Sequence, residues 1–506
     1  MNNLSSGCFF VRANLYADDL VVYIKCKNIT SGAKILQNLL YKIEEWSSKT
    51  GFLFSTNKTH YTVFSKRKNT IPVSLIFNGQ NISHSEESNF LDLKFDYKLN
   101  WKTHITNLQP TCQNRINLLK ILSSNIWGAD SSILLNLYKS IIRSKLDYGA
   151  ICYDTANKTF LKNLNTIQTA LRLAVIVFRT SPVSSLQVIS REPPLHLRRH
   201  LLSLNYAARI SSNKKHPLYS EIINVPTSNL YRKKQYKDKP FRERINQKGF
   251  NCNEFKLSIT TKLDFPKWLT PLPITDLTLT QYPKNTTNPN LIINAFKEIM
   301  EKYPNHHIIY TDASKTENVH SAAFTNKNYK YAIRIPQHCR IYTGETTAIL
   351  EAIKNSSSTT ENNILIITDS LSAIHGINQL FPSHPIAQNI RNELNALHHI
   401  NKKVTFIWIP SHIGIQSNEE VDQLALKSIG NENVPEITKY PHTDHKQQSM
   451  NHIINLWQAT WDATDSKLKT IKPRVDVSLP QQGKRRDHVI VNRLRIGHTI
   501  LTHHTF

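Results

Sequence analysis

Four acidic residues and one histidine stand in local settings that could do chemistry. Asp312 follows the apolar run Ile308-Ile309-Tyr310, and Glu345 opens Glu345-Thr346-Thr347-Ala348-Ile349-Leu350. Asp369 follows Ile364-Leu365-Ile366-Ile367, and Asp422 closes Asn418-Glu419-Glu420-Val421-Asp422. His412 comes after Ile407-Trp408-Ile409-Pro410-Ser411. Three or four converging carboxylates without cysteine ligands suit hard cations such as Mg²⁺ or Mn²⁺. Left unneutralised, such a cluster repels itself and raises its own pKa values. Two ions about 4 Å apart are the standard device for in-line phosphodiester hydrolysis, one activating water and the other stabilising the leaving oxygen. A histidine on a nearby loop can shuttle a proton or help release product.

The surrounding pattern says which elements would gather these groups. Ile308–Asp312, His320–Thr325 and Lys330–Ile335 are short β-rich runs between polar turns, an antiparallel meander. Gly344–Asn355 has apolar residues at helical spacing, and Ile364–Thr368 is a continuous aliphatic run expected of a strand buried on both faces. Ser370–Leu380 and Pro385–Ile400 read as helices and Val404–Ile409 as a strand, with a last helix starting near Asn418 as N-cap. The element order is βββαβααβα around a mixed five-stranded sheet. In open sheets, strand ends along one edge form the crevice where ligands sit. Asp312 and Asp369, each ending a strand, can therefore lie side by side, with Glu345 and Asp422 reaching them from helices.

Plainer readings exist for single residues. Asp369 could cap the helix after it. Glu351 rivals Glu345, but Glu345 sits earlier on its helix and has the better-spaced Ala348-Ile349, so Glu351 is expected to be solvated. Glu419 and Glu420 suit a helix dipole better than a metal.

Taken together, Thr311-Asp312-Ala313-Ser314-Lys315, Gly344-Glu345, Thr368-Asp369-Ser370-Leu371-Ser372-Ala373, Pro410-Ser411-His412-Ile413-Gly414-Ile415 and Asn418-Glu419-Glu420-Val421-Asp422 resemble the type 1 ribonuclease H family. The version carried by non-LTR, LINE-type retrotransposon polyproteins is the nearest in pattern. The resemblance implies cleavage of the RNA strand of an RNA·DNA hybrid. It assigns Asp312, Glu345, Asp369 and Asp422 as catalytic ligands of two Mg²⁺ or Mn²⁺ ions, with His412 assisting. The chain departs from the family at Ala313 and Ser417, where Gly is usual, and at Gly344 and Val421, where Ala is usual. These changes bear on the level of activity more than on the type of reaction.

The sequence holds a second motif. Leu15-Tyr16-Ala17-Asp18-Asp19-Leu20 lies between two β-rich runs, a hairpin with paired carboxylates at its turn. It resembles the Tyr-x-Asp-Asp motif of reverse transcriptases. Glu44-Glu45-Trp46, Gly51-Phe52 and Asn57-Lys58-Thr59 resemble the palm helix and lysine motif that follow, and Phe90–Asp96 with Leu99–Ile105 the next palm hairpin and entry to the thumb. No Asp or Glu precedes Asp18, so the pair Asp18 and Asp19 lacks the third carboxylate of a polymerase site. No polymerase activity is expected from this chain alone, and a truncated gene or decayed element copy would explain the start.

The 506-residue chain is an α/β multidomain protein in this reading, long enough for sizeable cores. Residues 1–105 read as a truncated reverse-transcriptase palm and 106–215 as a helical thumb and connection. Residues 216–287 read as a Pro-rich basic linker, and 288–303 as a lead-in helix with Asn288 as cap and Pro289 at its first position. The ribonuclease H domain takes 304–430 and a basic tail 431–506. Within 304–430, ten Lys+Arg meet ten Asp+Glu, so the whole net charge of +26 lies outside that stretch. Lys58, Arg198, Arg199, Arg232, Lys233 and Lys234 are candidate contacts to a nucleic-acid backbone. The expected partners are an RNA·DNA hybrid and other element-encoded proteins. Six scattered cysteines suit a reducing compartment, nuclear or cytoplasmic, and no apolar run could span a membrane. His498, His503 and His504 lack cysteine partners, so no zinc is expected. A catalytically inactive nucleic-acid-binding remnant is the alternative, and a DNA-cutting transposase on the same fold a weaker third.

Overall fold

A computed structural model describes residues 11–65, 73–124, 126–223, 239–247, 256–259, 272–316, 320–431, 433–480 and 483–497. Arg232, Lys233 and Lys234 lie outside the described residues, as do His498, His503 and His504. The chain packs as two compact units, Met1–Arg199 with Leu456–Phe506, and His200–Asn455. No described helix is long and apolar enough to cross a membrane.

In the first unit, strands β1 (Val11–Tyr16) and β2 (Asp19–Ile24) pair antiparallel, with Tyr16 opposite Asp19. The turn is therefore Ala17-Asp18, and Ala17 takes φ 51°. Helix α1 (Ile29–Thr50) is capped by Asn28, whose side chain accepts from Thr30 N, and ends at Gly51 with φ 76°. Its buried Leu39, Leu40 and Ile43 pack with Val11, Phe77 and Ile82. From helix α2 (Lys102–Leu122) onward this unit is helical, around fully buried Leu134, Tyr138, Ile142, Leu164 and Leu171. The chain's end returns to it. Lys472 Nζ donates to Val188 O at 2.6 Å and Asn492 Nδ2 to Val175 O at 3.0 Å.

The second unit is built on a mixed sheet. Strands β3 (Ile274–Asp276), β4 (His307–Lys315), β5 (His320–Thr325), β6 (Lys330–Ile335), β7 (Asn363–Thr368) and β8 (Lys403–Trp408) lie in the order β6-β5-β4-β7-β8-β3. The sheet thus has six strands, not five. β4, β5 and β6 form the antiparallel meander, while β7, β8 and β3 run parallel to β4. The extra strand comes from the segment read as linker, which also holds short helices at Tyr219–Ile223 and Phe241–Gln247. Three residues are too few for a hydrophobic period, and Pro273 just before them is tolerated only because the strand lies at the edge.

Both faces of the sheet are covered. Alternation sends Ile364 and Ile366 of β7 to one side, under helices α4 (Ile341–Ser356), α5 (Leu371–Asn378) and α6 (Pro385–His399). Leu365 and Ile367 go to the other, against helix α3 (Pro289–Glu301) and Leu279. Asn288 accepts from Asn290 N, and Pro289 opens α3, whose Ile292, Phe296 and Ile299 are buried. Each such side chain contributes roughly 1.5–3 kcal/mol. Helix α7 (Gln416–Ser428) lays Val421 and Ala425 on Ala323. Its N-cap is Ile415 with no side-chain cap bond; Asn418, expected at the cap, is buried inside the first turn. Helix α8 (His442–Asp462) lies in the stretch read as a basic tail.

Candidate active site

The register of the sheet brings the first two carboxylates together. Thr311 of β4 pairs with Thr368 of β7, so Asp312 and Asp369 occupy the next position on neighbouring parallel strands. Asp312 does not end its strand, since β4 continues to Lys315 against β5. What ends there is the parallel pairing, and that opens the crevice. Asp369 starts the turn into α5, whose cap is not Asp369 but Ser370, the Oγ accepting from Ala373 N at 3.3 Å. The Trp408 indole donates to Asp369 O at 2.9 Å, fixing the turn from β8. Glu345 enters from α4, just past its first turn.

Carboxylate oxygens of Asp312, Glu345 and Asp369 all lie within 4.8 Å of one another. Asp312 is buried; Glu345 and Asp369 are half-buried. Asp312 Oδ1 accepts from Ala313 N at 2.7 Å, whereas Glu345 Oε2 is buried with no hydrogen-bond partner. Burial pushes all three carboxyl groups above the usual carboxylate range. The charges of Asp369, Asp422 and Glu419 add to this at Asp312, and those of Asp312, Asp369 and Asp422 at Glu345. At Asp369 the charge of His412 opposes the rise. A hard cation answers each observation at once: it supplies a partner for the orphaned Oε2 and cancels the mutual repulsion. The all-oxygen donor set fits such an ion.

Asp422 stands on α7, half-buried, close enough for its charge to be felt by the other three but outside the 4.8 Å group. His412 is exposed on a loop with φ 50°, its Nδ1 3.8 Å from Glu419 Oε2, and Gly414 beside it takes φ 92°. Glu351 is half-buried and ion-paired to Lys354 at 2.7 Å, away from the cluster. Sequence reasoning missed Lys284, an exposed residue whose charge opposes the rise at Asp369. It lay in the presumed linker, and only the folding of β3 and α3 brings it near.

The other candidate residues fare differently. Asp18 and Asp19 are exposed at the β1–β2 turn, and among the described residues they join no group of three potential metal ligands. Lys58 is exposed on the 3-10 turn Thr56–Lys58. Arg198 and Arg199 are not free for a nucleic-acid backbone. Arg198 grips Asp147, with Nη2 2.6 Å from Oδ2, and buried Arg199 holds Asp154 at 2.8 Å. Both pairings sit inside the helical unit, so these arginines serve its packing.

Comparison with known proteins gives one family match and several relatives. Residues 304–429 match the family model of RNase H. The chain is 30% identical over 154 residues to the RNA-directed DNA polymerase from mobile element jockey of Drosophila melanogaster, covering 30% of this chain and 17% of that protein. It is 24% identical over 200 residues to the putative 115 kDa protein in type-1 retrotransposable element R1DM of Drosophila melanogaster, covering 39% of this chain and 20% of that protein. A Pol polyprotein from type-1 retrotransposable element R1 of Bradysia coprophila is 25% identical over 207 residues, again over 20% of its own length. The chain thus matches a fifth or less of each of these relatives. Residues 304–429 are an RNase H domain, carried by a chain whose relatives are retrotransposable-element proteins.

Proposed function

We propose that the second unit hydrolyses the RNA strand of RNA·DNA hybrids, as a divalent-cation-dependent type 1 ribonuclease H. The observation that carries this reading is the meeting of Asp312, Glu345 and Asp369 within 4.8 Å, with a buried carboxylate oxygen left unpaired. These three residues would hold Mg²⁺ or Mn²⁺, with Asp422 completing a two-ion set. When bound, the ions supply an activated water and charge stabilisation for the leaving oxygen. The protein's own part is to orient. Asp312 and Asp369 are fixed by strand register, Glu345 by its helix, and none needs to move far to ligate. Exposed His412, steadied by Glu419, is placed to take or give a proton as product leaves. Selection of the RNA strand would come from contacts to its 2′-hydroxyls, and the products would carry a 5′-phosphate and a 3′-hydroxyl.

We read the β1–β2 hairpin and the helices after it as a partial reverse-transcriptase palm and thumb, without polymerase activity in this chain. Asp18 and Asp19 are exposed and, among the described residues, join no group of three potential metal ligands, which favours that. The test is incubation of the full chain with end-labelled RNA·DNA hybrid and Mg²⁺, beside Asp369→Asn. Cutting by the first but not the second is the expected result. Binding without cutting would favour an inactive nucleic-acid-binding remnant, and equal cutting of double-stranded DNA a different nuclease.

A further inference from the structure

Helix α4, which carries Glu345, lacks the usual means of starting. Its N-cap, Arg340, makes no side-chain cap bond, and its first turn holds no acidic residue. The exposed N–H groups of a helix start and its positive dipole end call for an anion or an acceptor. One is present, but it comes from α8. Asp444 is 1% exposed and receives the Thr343 hydroxyl at 2.5 Å. Burial raises the pKa of this carboxyl group, and the Thr343 hydroxyl, the Arg340 backbone and the Cys339 thiol beside it oppose that rise. Asp444 also lies in the first turn of its own helix, so one carboxylate serves two helix starts.

The turn it grips has no slack. Thr343 is completely buried and Thr347 Oγ1 donates back to Thr343 O at 2.6 Å. A Cβ on Gly344 would lie 2.8 Å from the Cβ of Ala313, so backbone of α4 rests directly on β4 beside Asp312. Glu345 follows Gly344 and Asp312 precedes Ala313. Any slip of the first turn therefore changes the Glu345–Asp312 separation. We propose that Asp444, outside the stretch that matches the RNase H family, is a positioning residue that holds Glu345 at ligating distance from Asp312 and Asp369. This rests on the reading of the three carboxylates as a cation site. Outer partners that orient metal ligands commonly change affinity 10–100-fold when removed.

The experiment uses the full chain and four variants: Asp444→Ala, Asp444→Asn, Thr343→Val and, as a control for destabilised α8 packing, Ile453→Ala. Ile453 is buried on α8 and makes no contact assigned to the site. Mn²⁺ binding is titrated directly, and hybrid cleavage is resolved into kcat and KM. Asp444→Ala and Thr343→Val should raise the Mn²⁺ needed for half-saturation about tenfold. They should lower kcat while KM for hybrid changes less than about twofold, the mark of a lost orienting contact rather than lost substrate binding. Asp444→Asn, which keeps shape and one acceptor, should recover part of the loss. Ile453→Ala should unfold at lower temperature with Mn²⁺ binding unchanged. If Asp444→Ala and Thr343→Val behave like Ile453→Ala, the contact is structural only and the proposal falls. Thr343→Val, nearly isosteric, keeps the comparison readable should Asp444→Ala fail to fold. A wild-type chain that binds Mn²⁺ but leaves hybrid uncut would sink the hydrolase reading, while the binding comparison still decides the role of Asp444.

Discussion

At the scale of single residues, two departures from the family pattern turn out to be one. Ala313 stands where Gly is usual and Gly344 where Ala is usual, and the two face each other across the β4–α4 contact. The contact holds one methyl group, on the strand side. Gly344→Ala alone should destabilise the unit by about 1–3 kcal/mol through overpacking. Ala313→Gly added to it should restore most of that loss, as read by denaturant unfolding of both singles and the double. The carboxylates give a second expectation. Their native pKa values are raised by burial and mutual repulsion, so the folded chain binds more protons than the unfolded chain above the ordinary carboxylate range. Without cations, stability should therefore fall as pH rises from about 5 to 8. Amide exchange of β4 and β7 in chelator would record it, and Asp312→Asn should flatten the slope. Mg²⁺ should restore protection at the alkaline end. A chain whose β4 protection rises with pH in chelator would contradict the repulsion account.

At the scale of elements, most of the second unit was legible because its strands are long enough to show a period. His320–Thr325 and Lys330–Ile335 keep the bounds their β-branched and alternating residues indicate, and Pro289–Glu301 starts at its Asn-Pro signal. What stayed hidden depends on distant contact. β3 is three residues, and its partner β8 lies far along the chain. Asn418 has the chemistry of a cap, but Ile415 takes the place because the loop from His412 turns into the helix earlier. Asp444 falls in the stretch read as a basic tail, where nothing in the sequence ties it to α4. Arg198 and Arg199 looked like phosphate contacts because a sequence does not show where Asp147 and Asp154 fall. The segment before β4 is thus part of the fold. Leu279, fully buried against α3, should cost about 2–5 kcal/mol when cut to Ala, and hybrid cleavage should fall with it at elevated temperature.

At the scale of the whole molecule, charge and chemistry are kept apart. The stretch 304–430 is electrically balanced, and the excess of +26 lies in the rest of the chain. Affinity for a duplex should therefore be strongly salt-dependent, with each phosphate neutralised adding about 0.9 to the slope of log K against log salt. Lys284, from the segment before the nuclease stretch, carries a charge that acts on Asp369. Lys284→Ala should reduce that slope by about 1 and weaken hybrid binding evenly across sequences. An unchanged slope would mean that Lys284 only tempers Asp369.

The edge strand Ile274–Asp276 shields the backbone rim of Thr405–Ile407. Trimming the chain to begin at Tyr303 would leave that row of N–H and C=O groups open, on a strand flanked by aliphatic side chains. Such rims recruit strands from other molecules. A minimal nuclease cut at the family boundary should thus form soluble oligomers or precipitate on storage, while a version starting at His200 stays monodisperse. For anyone expressing the enzyme, three inconspicuous residues set the difference between a usable preparation and a sticky one.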